Sequence, residues 1–187
     1  MTNAKERTKT LTACAIMAAM ACVLAMFPVF KLPNGGSVTL ASMVPIIFVS
    51  LKYGNRWGLI TGAVFCAVQM MTGFYPPPTP TLINFFLLIA LDYIIPFMLL
   101  GTARLFSDLF GGGIAGASFG AFCVTLLRFA SHFFSGIILW QAYCPEEQAV
   151  WFYSLTVNGS YMIPEIIIST VATCVLAKFF LSPKQTA

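Results

Sequence analysis

The chain has 187 residues, 59% of them hydrophobic and only 9% charged, with a net charge of +4. Soluble domains carry about 25% charged residues, so this composition excludes a water-covered globule. The basic residues sit at the ends of apolar runs, where they act as topology signals, and this excludes a nucleic-acid-binding face.

A spanning helix needs about 20 mostly apolar residues, which leaves room for roughly six spans with short loops. The expected fold is an all-α integral membrane protein, one transmembrane domain over residues 1–187. The predicted spans are at about 10–30, 38–52, 57–74, 81–103, 113–140 and 152–181. The first follows MTNAKERTKT and runs to Phe30, longer than the ~7–15 residues of a signal-peptide core. It is read as a retained helix. Its small residues Ala15, Ala18, Ala19, Cys22 and Ala25 fall on adjoining helical rows, which suits packing within the bundle or docking of another membrane protein. The second span is short and follows the turn residues Pro33, Asn34, Gly35 and Gly36.

Lys5, Arg7, Lys9, Lys52, Arg56, Arg104, Lys178 and Lys184 all fall on one side of this arrangement. The other side has Lys31 and the acidic pair Glu146-Glu147. Positive residues favour the inside, so both termini are expected in the cytoplasm and the loops 31–37, 75–80 and 141–151 outside. On span 5, Gly111, Gly113 and Gly116 match a dinucleotide-binding GxGxxG, but no strand precedes them. Gly112, Gly116 and Gly120 read instead as a packing stripe. The six cysteines form no CxxC pair and there is one histidine, so neither a disulfide framework nor a metal site is expected. Asn158-Gly159-Ser160 is a chance sequon at the membrane surface.

The stretch from Arg128 to Tyr161 holds that histidine and two of the three tryptophans. Arg128, His132, Gly136 and Trp140 recur every four residues on span 5. Ser154, Asn158, Tyr161 and Glu165 share a face of span 6, with Tyr153 beside it. Asp92 lies in an apolar run of span 4, followed by Tyr93. A carboxylate at a bilayer centre costs ~2.5–3.5 kcal/mol on insertion scales, so it demands a partner. Trp151 alone reads as an interfacial belt residue. Arg128 and Glu165 lie at similar depth and are expected to pair. Together, Asp92 and the ring-bearing residues suit an aromatic, cationic or amidine-bearing ligand, through cation–π contacts and charge-assisted hydrogen bonds. No Ser/His/Asp pattern, HExxH or P-loop is present, so neither catalysis nor ATP hydrolysis by these routes is expected.

The chain resembles the thiamine-specific S components (ThiT family) of bacterial energy-coupling-factor (ECF) transporters. NGGSV at 34–38, LDY at 91–93, LRFASHFFSG at 127–136 and YSLTVNGSYM at 153–162 carry the resemblance, which extends over nearly the whole length. It implies a multi-pass protein of the bacterial plasma membrane that binds thiamine from outside, without a cofactor of its own. His132 and Trp140 would flank the ligand, Asp92 would contact its polar edge, and Tyr153 and Asn158 would hydrogen-bond to it. Gly136 would leave room for the ligand and Tyr75, in GFYPPP, would act as a lid. Ala15 and Ala19 would dock on the shared ECF transmembrane subunit, which works with two ATPase subunits. Some relatives carry a tryptophan in the loop before span 2, where this sequence has Asn34-Gly35-Gly36-Ser37. The outward loops offer no phosphate clamp, so free thiamine is expected over its phosphates. The readings that stay open are an S component for another vitamin or a thiamine precursor, and, from a different class, a membrane-embedded enzyme using Asp92 and His132. A structural packing subunit is disfavoured by the polar lining.

Overall fold

The computed structural model describes residues 4–32 and 36–181. In chain order its elements are α1 (Ala4–Ala25), β1 (Pro28–Lys31), β2 (Ser37–Thr39), α2 (Val44–Tyr53), α3 (Asn55–Gly73), α4 (Leu82–Leu100), α5 (Ala103–Leu109), α6 (Gly113–Ile138) and α7 (Val150–Phe180). A single 3-10 turn at Gln141–Tyr143 joins the last two. Pro33, Asn34 and Gly35 of the first outward loop, and Lys184 of the basic residues used for orientation, lie outside the described residues.

Among the described residues, α1, α4, α6 and α7 are long and apolar enough to cross a membrane. Their outer faces carry large apolar side chains, such as Ile16, Ile83, Phe134 and Ile163, each more than half exposed. Contiguous exposure of this kind fits contact with lipid rather than water. α2 and α3 are not among the four.

The second predicted span differs most from expectation, and with it the all-α class. Residues 37–39 form a strand, paired antiparallel to β1 with Lys31 opposite Ser37 and Pro28 opposite Thr39. The helix begins only at Val44 and has 10 residues. At 1.5 Å per residue it rises about 15 Å, half of a ~30 Å hydrocarbon core. Local chemistry explains the late start. Thr39 and Ser42 bond through their hydroxyls at 2.7 Å, Ala41 takes a left-handed φ of 62°, and Pro45 sits in the first turn. Once started, α2 is buried from Val44 to Leu51 on every side, as an all-round apolar helix should be.

The main apolar core gathers Ile46 and Ile47 of α2, Phe65 of α3, Leu88 and Leu100 of α4, and Val124 of α6. A smaller cluster of Val38, Tyr161 and Met162 lies under the ribbon. Helices approach to backbone contact where glycine permits. A Cβ on Gly58 of α3 would overlap the Gly101 carbonyl after α4, and the reverse holds too. Gly116 and Gly120 of α6 meet the Ser107 and Ala103 carbonyls of α5 in the same way, which realises the packing reading of that stripe.

α4 is not regular. Ile89–Ile94 form a π-helical turn, in which the Ile95 N–H reaches back five residues to the Ala90 carbonyl. Pro96 is the cause to be found in the sequence. It has no N–H for the carbonyl four residues back, that of Asp92, and its ring crowds that position. The Ser131 hydroxyl of α6 donates to the Leu91 carbonyl at 2.6 Å, tying the loosened turn to its neighbour. The widened turn carries Asp92 and Tyr93.

Candidate ligand-binding site

A cavity of about 730 Å³ opens between the ribbon, the end of α3, the π turn of α4, α6 and α7. Small-molecule sites typically measure ~300–1,000 Å³. Tyr75, Asp92, His132, Gly136, Trp140, Tyr153 and Asn158 all line it. Seven positions spread over more than eighty residues of sequence therefore share one wall-to-wall space.

At the centre is a chain of hydrogen bonds across two helices. Arg128 Nε donates to His132 Nε2 at 3.3 Å. That nitrogen must then be an acceptor, which leaves the proton of a neutral imidazole on Nδ1. Nδ1 lies 3.1 Å from Asp92 Oδ1 and donates to it. Trp140 Nε1 donates to Asp92 Oδ2 at 3.1 Å. Asp92 thus finds its partners in His132 of α6 and Trp140 just beyond its end.

The expected pairing of Arg128 with Glu165 is corrected by these contacts. Besides His132, Arg128 lies over the Phe97 ring at 5.0 Å. Glu165, 2% exposed, accepts through Oε1 from the Thr39 backbone N–H and from the Thr39 hydroxyl at 2.7 Å. Equal depth along two helices does not fix the direction in which each side chain points. The carboxylate faces β2, and the guanidinium turns to the cavity.

A second network lines the α7 side. Asn158 Nδ2 donates to the Ser154 carbonyl at 3.0 Å and to its hydroxyl at 3.2 Å. Asn158 Oδ1 accepts from Tyr161 OH at 2.6 Å. The Ser154 hydroxyl donates to the Phe133 carbonyl at 2.7 Å. Gly136 meets this network directly, since a Cβ there would overlap Ser154 Oγ and come within 2.8 Å of Asn158 Nδ2. The close approach of α7 thus depends on Gly136, which also lines the cavity. Asn158 is 8% exposed and held in place by these bonds while it lines the cavity.

The aromatic wall is fixed by α4. Tyr93 OH accepts from the Tyr75 N–H at 3.0 Å and donates to the Gly73 carbonyl at 3.1 Å, holding the chain that leaves α3. The Tyr75 ring then lies 5.6 Å from Trp140, and Trp140 stacks on Tyr143 at 6.1 Å with 18° between planes. Trp151 stays outside the cavity lining, 56% exposed.

Other lining residues were not singled out in the sequence. Gln69 and Thr72 of α3 reach the cavity, as do Lys31 and Ser37 of the ribbon. Gln69 and Thr72 share a helix face in an apolar run, the same signal that marks Asp92. Lys31 gives the ribbon side of the cavity a cation that topology counting had treated as a loop charge. On α1, Cys14, Ala18 and Ala21 are buried while Ala15 and Ala19 are exposed, so the small residues split into an inward and an outward row. The six cysteines are all unpaired. Among the described residues no cluster of His, Cys, Asp and Glu fits a metal ion.

A family described as "Thiamine transporter protein (Thia_YuaJ)" matches residues 11–184. The chain is 33% identical to "Thiamine transporter ThiT" of Bacillus subtilis (strain 168) over 197 aligned residues, covering 97% of this chain and 96% of that protein. A "Thiamine transporter ThiT" of Lacticaseibacillus paracasei aligns at 33% identity over 95 residues, 46% of this chain and 47% of its own length. The solved structure of ThiT from Listeria monocytogenes superposes with a TM-score of 0.73 at 22% identity, covering 97% of this chain and 98% of that one. That likeness is one of fold.

Proposed function

The chain belongs to the thiamine transporter family, transporters rather than enzymes, and from that premise we propose that it captures thiamine from outside the cell as the S component of an ECF-type importer. One observation carries the reading. A carboxylate, Asp92, is held by His132 and Trp140 in a cavity that also presents Tyr153 and Asn158.

Asp92 accepts hydrogen bonds from the amino edge of the aminopyrimidine. Hydrogen bonds to charged groups contribute ~1.5–3 kcal/mol. The thiazolium cation lies against the faces of Trp140 and His132. The neutral imidazole assigned by its hydrogen bonds does not repel that cation. Asn158 and Tyr153 set the orientation, and Tyr75 closes the aromatic side.

In this reading six spans leave both termini in the cytoplasm and the cavity at the outer face of the plasma membrane, the second span being made by the extended 37–39 segment together with the short, buried α2. The sequence has no P-loop to power uptake itself, and the resemblance to S components implies a partner transmembrane subunit and two ATPases. The exposed Ala15 and Ala19 offer a small-residue face for that subunit. Replacing both with Trp is expected to leave thiamine binding intact and abolish uptake. Equal loss of both would assign the row to internal packing.

Titrating the purified protein with thiamine, with riboflavin as control, tests the ligand. Saturable quenching of tryptophan fluorescence by thiamine alone is expected, through Trp140. A folded, monodisperse sample that does not respond would overturn the assignment and direct the search to other vitamins or to thiamine precursors.

A further inference from the structure

Beside the main cavity lies a second one, of about 570 Å³, lined by Leu32, Tyr75, Tyr143, Tyr153, Thr156, Val157 and Ser160. Tyr75, Tyr153 and Val157 line both cavities, so they form the wall between them. Tyr143 lines only the second, and it is 51% exposed. Its ring stacks on Trp140, which in turn meets Tyr75. The result is an unbroken run of three aromatic rings, from the outer cavity to the wall of the inner one.

We propose that this outer cavity is a separate encounter site, where an aromatic cation, thiamine itself, is first held before it passes Tyr75 and Tyr153 into the inner cavity. The proposal rests on the thiamine reading above. Its chemistry differs from that of the inner site. Among the described residues, no carboxylate or cation lines the outer cavity. The Thr156 and Ser160 hydroxyls donate to carbonyls of their own helix, at 2.9 and 2.7 Å. Recognition there therefore depends on ring faces, which attract flat and cationic groups without fixing their orientation. Glu146 and Glu147 are exposed on the loop that carries Tyr143, and their charge draws a cation to this side. A weak site of this kind, empty once the ligand is seated, speeds capture and release by the same factor and leaves the final affinity unchanged.

Stopped-flow tryptophan fluorescence of the full chain with thiamine separates the two rates. Tyr143→Ala is expected to slow association about fivefold and dissociation in proportion, with the equilibrium affinity unchanged. Tyr143→Phe, which keeps the ring, should associate like the wild type. The double variant Glu146→Gln, Glu147→Gln should also slow association and flatten its salt dependence. Unchanged association in Tyr143→Ala overturns the proposal. So does faster dissociation at an unchanged association rate, which would put Tyr143 in the final site. Faster association in Tyr143→Ala overturns it as well, because the cavity would then hold a blocking occupant such as an acyl chain. A wild-type protein that gives no thiamine signal sinks the parent reading instead; wild-type binding with unaltered variant kinetics sinks only this one.

Discussion

Asp92 and Glu165 look alike in the sequence, each a lone carboxylate in an apolar helix, and the structure employs them differently. Asp92 sits on a π turn, is bonded by His132 of α6 and by Trp140 just past its end, and faces a cavity. Glu165 is sealed from solvent and bonded to the backbone and hydroxyl of Thr39, where the ribbon turns toward α2. The cost of placing a carboxylate in an apolar helix is offset in one case by preparing a site, and in the other by anchoring a segment that could not continue as helix. The presence of an intramembrane charge marks a place to look. Its partners decide the role.

The sharpest break in this symmetry is Asp92→Ala. Thiamine affinity should fall about 100-fold, or ~2.7 kcal/mol, in keeping with charge-assisted hydrogen bonds lost from a buried site. The ligand-free protein should lose less stability than Glu165→Ala does, because the His132 and Trp140 N–H groups released by Asp92 line the open cavity, where water can replace the carboxylate. Glu165→Ala should do the reverse. It strands the buried Thr39 N–H at a cost of about 1–3 kcal/mol, read as a lower unfolding temperature, with a smaller loss of affinity. Glu165→Gln retains an acceptor oxygen and should recover part of that stability. If Glu165→Ala weakened binding as strongly as Asp92→Ala with no change in unfolding, the division of labour would be wrong. A smaller effect, near tenfold in affinity, is expected for Gly136→Ala, whose methyl would push Ser154 and Asn158 out of line. Pairing it with Ser154→Gly, which clears the obstructing hydroxyl, should restore part of the loss. Failure to do so would show that the glycine serves the ligand directly.

Much of the site was legible because helical spacing alone places Arg128, His132, Gly136 and Trp140 in one row and Ser154 and Asn158 in another. The joining hairpin makes the two helices neighbours, so their polar rows meet. The resemblance added Tyr75, which no periodicity marks. Three things were not legible. The 37–39 strand pairs with 28–31 nearby, but its end is anchored at Thr39 by Glu165, 126 residues away, which no local window contains. The Arg128–Glu165 pairing failed because sequence gives depth but not azimuth. Gln69 and Thr72 were passed over because mild polarity in a membrane helix rarely signals a cavity. The Asp92-to-Pro96 spacing did hold a readable cue, since a proline four residues on disturbs the carbonyl of the residue it follows.

The π turn at Ile89–Ile94 also bears on how this site can change over time. It accommodates one residue more than the regular spiral would, and each residue of an α-helix advances about 100° around the axis. Shortening the segment by one residue would let the spiral close up and swing one end of α4 about a quarter of the way around relative to the other. The carboxylate and the tyrosine that props Tyr75 would no longer both face inward. The geometry of capture is therefore stored partly as a count of residues, which no point substitution can rewrite and a single-codon deletion could erase.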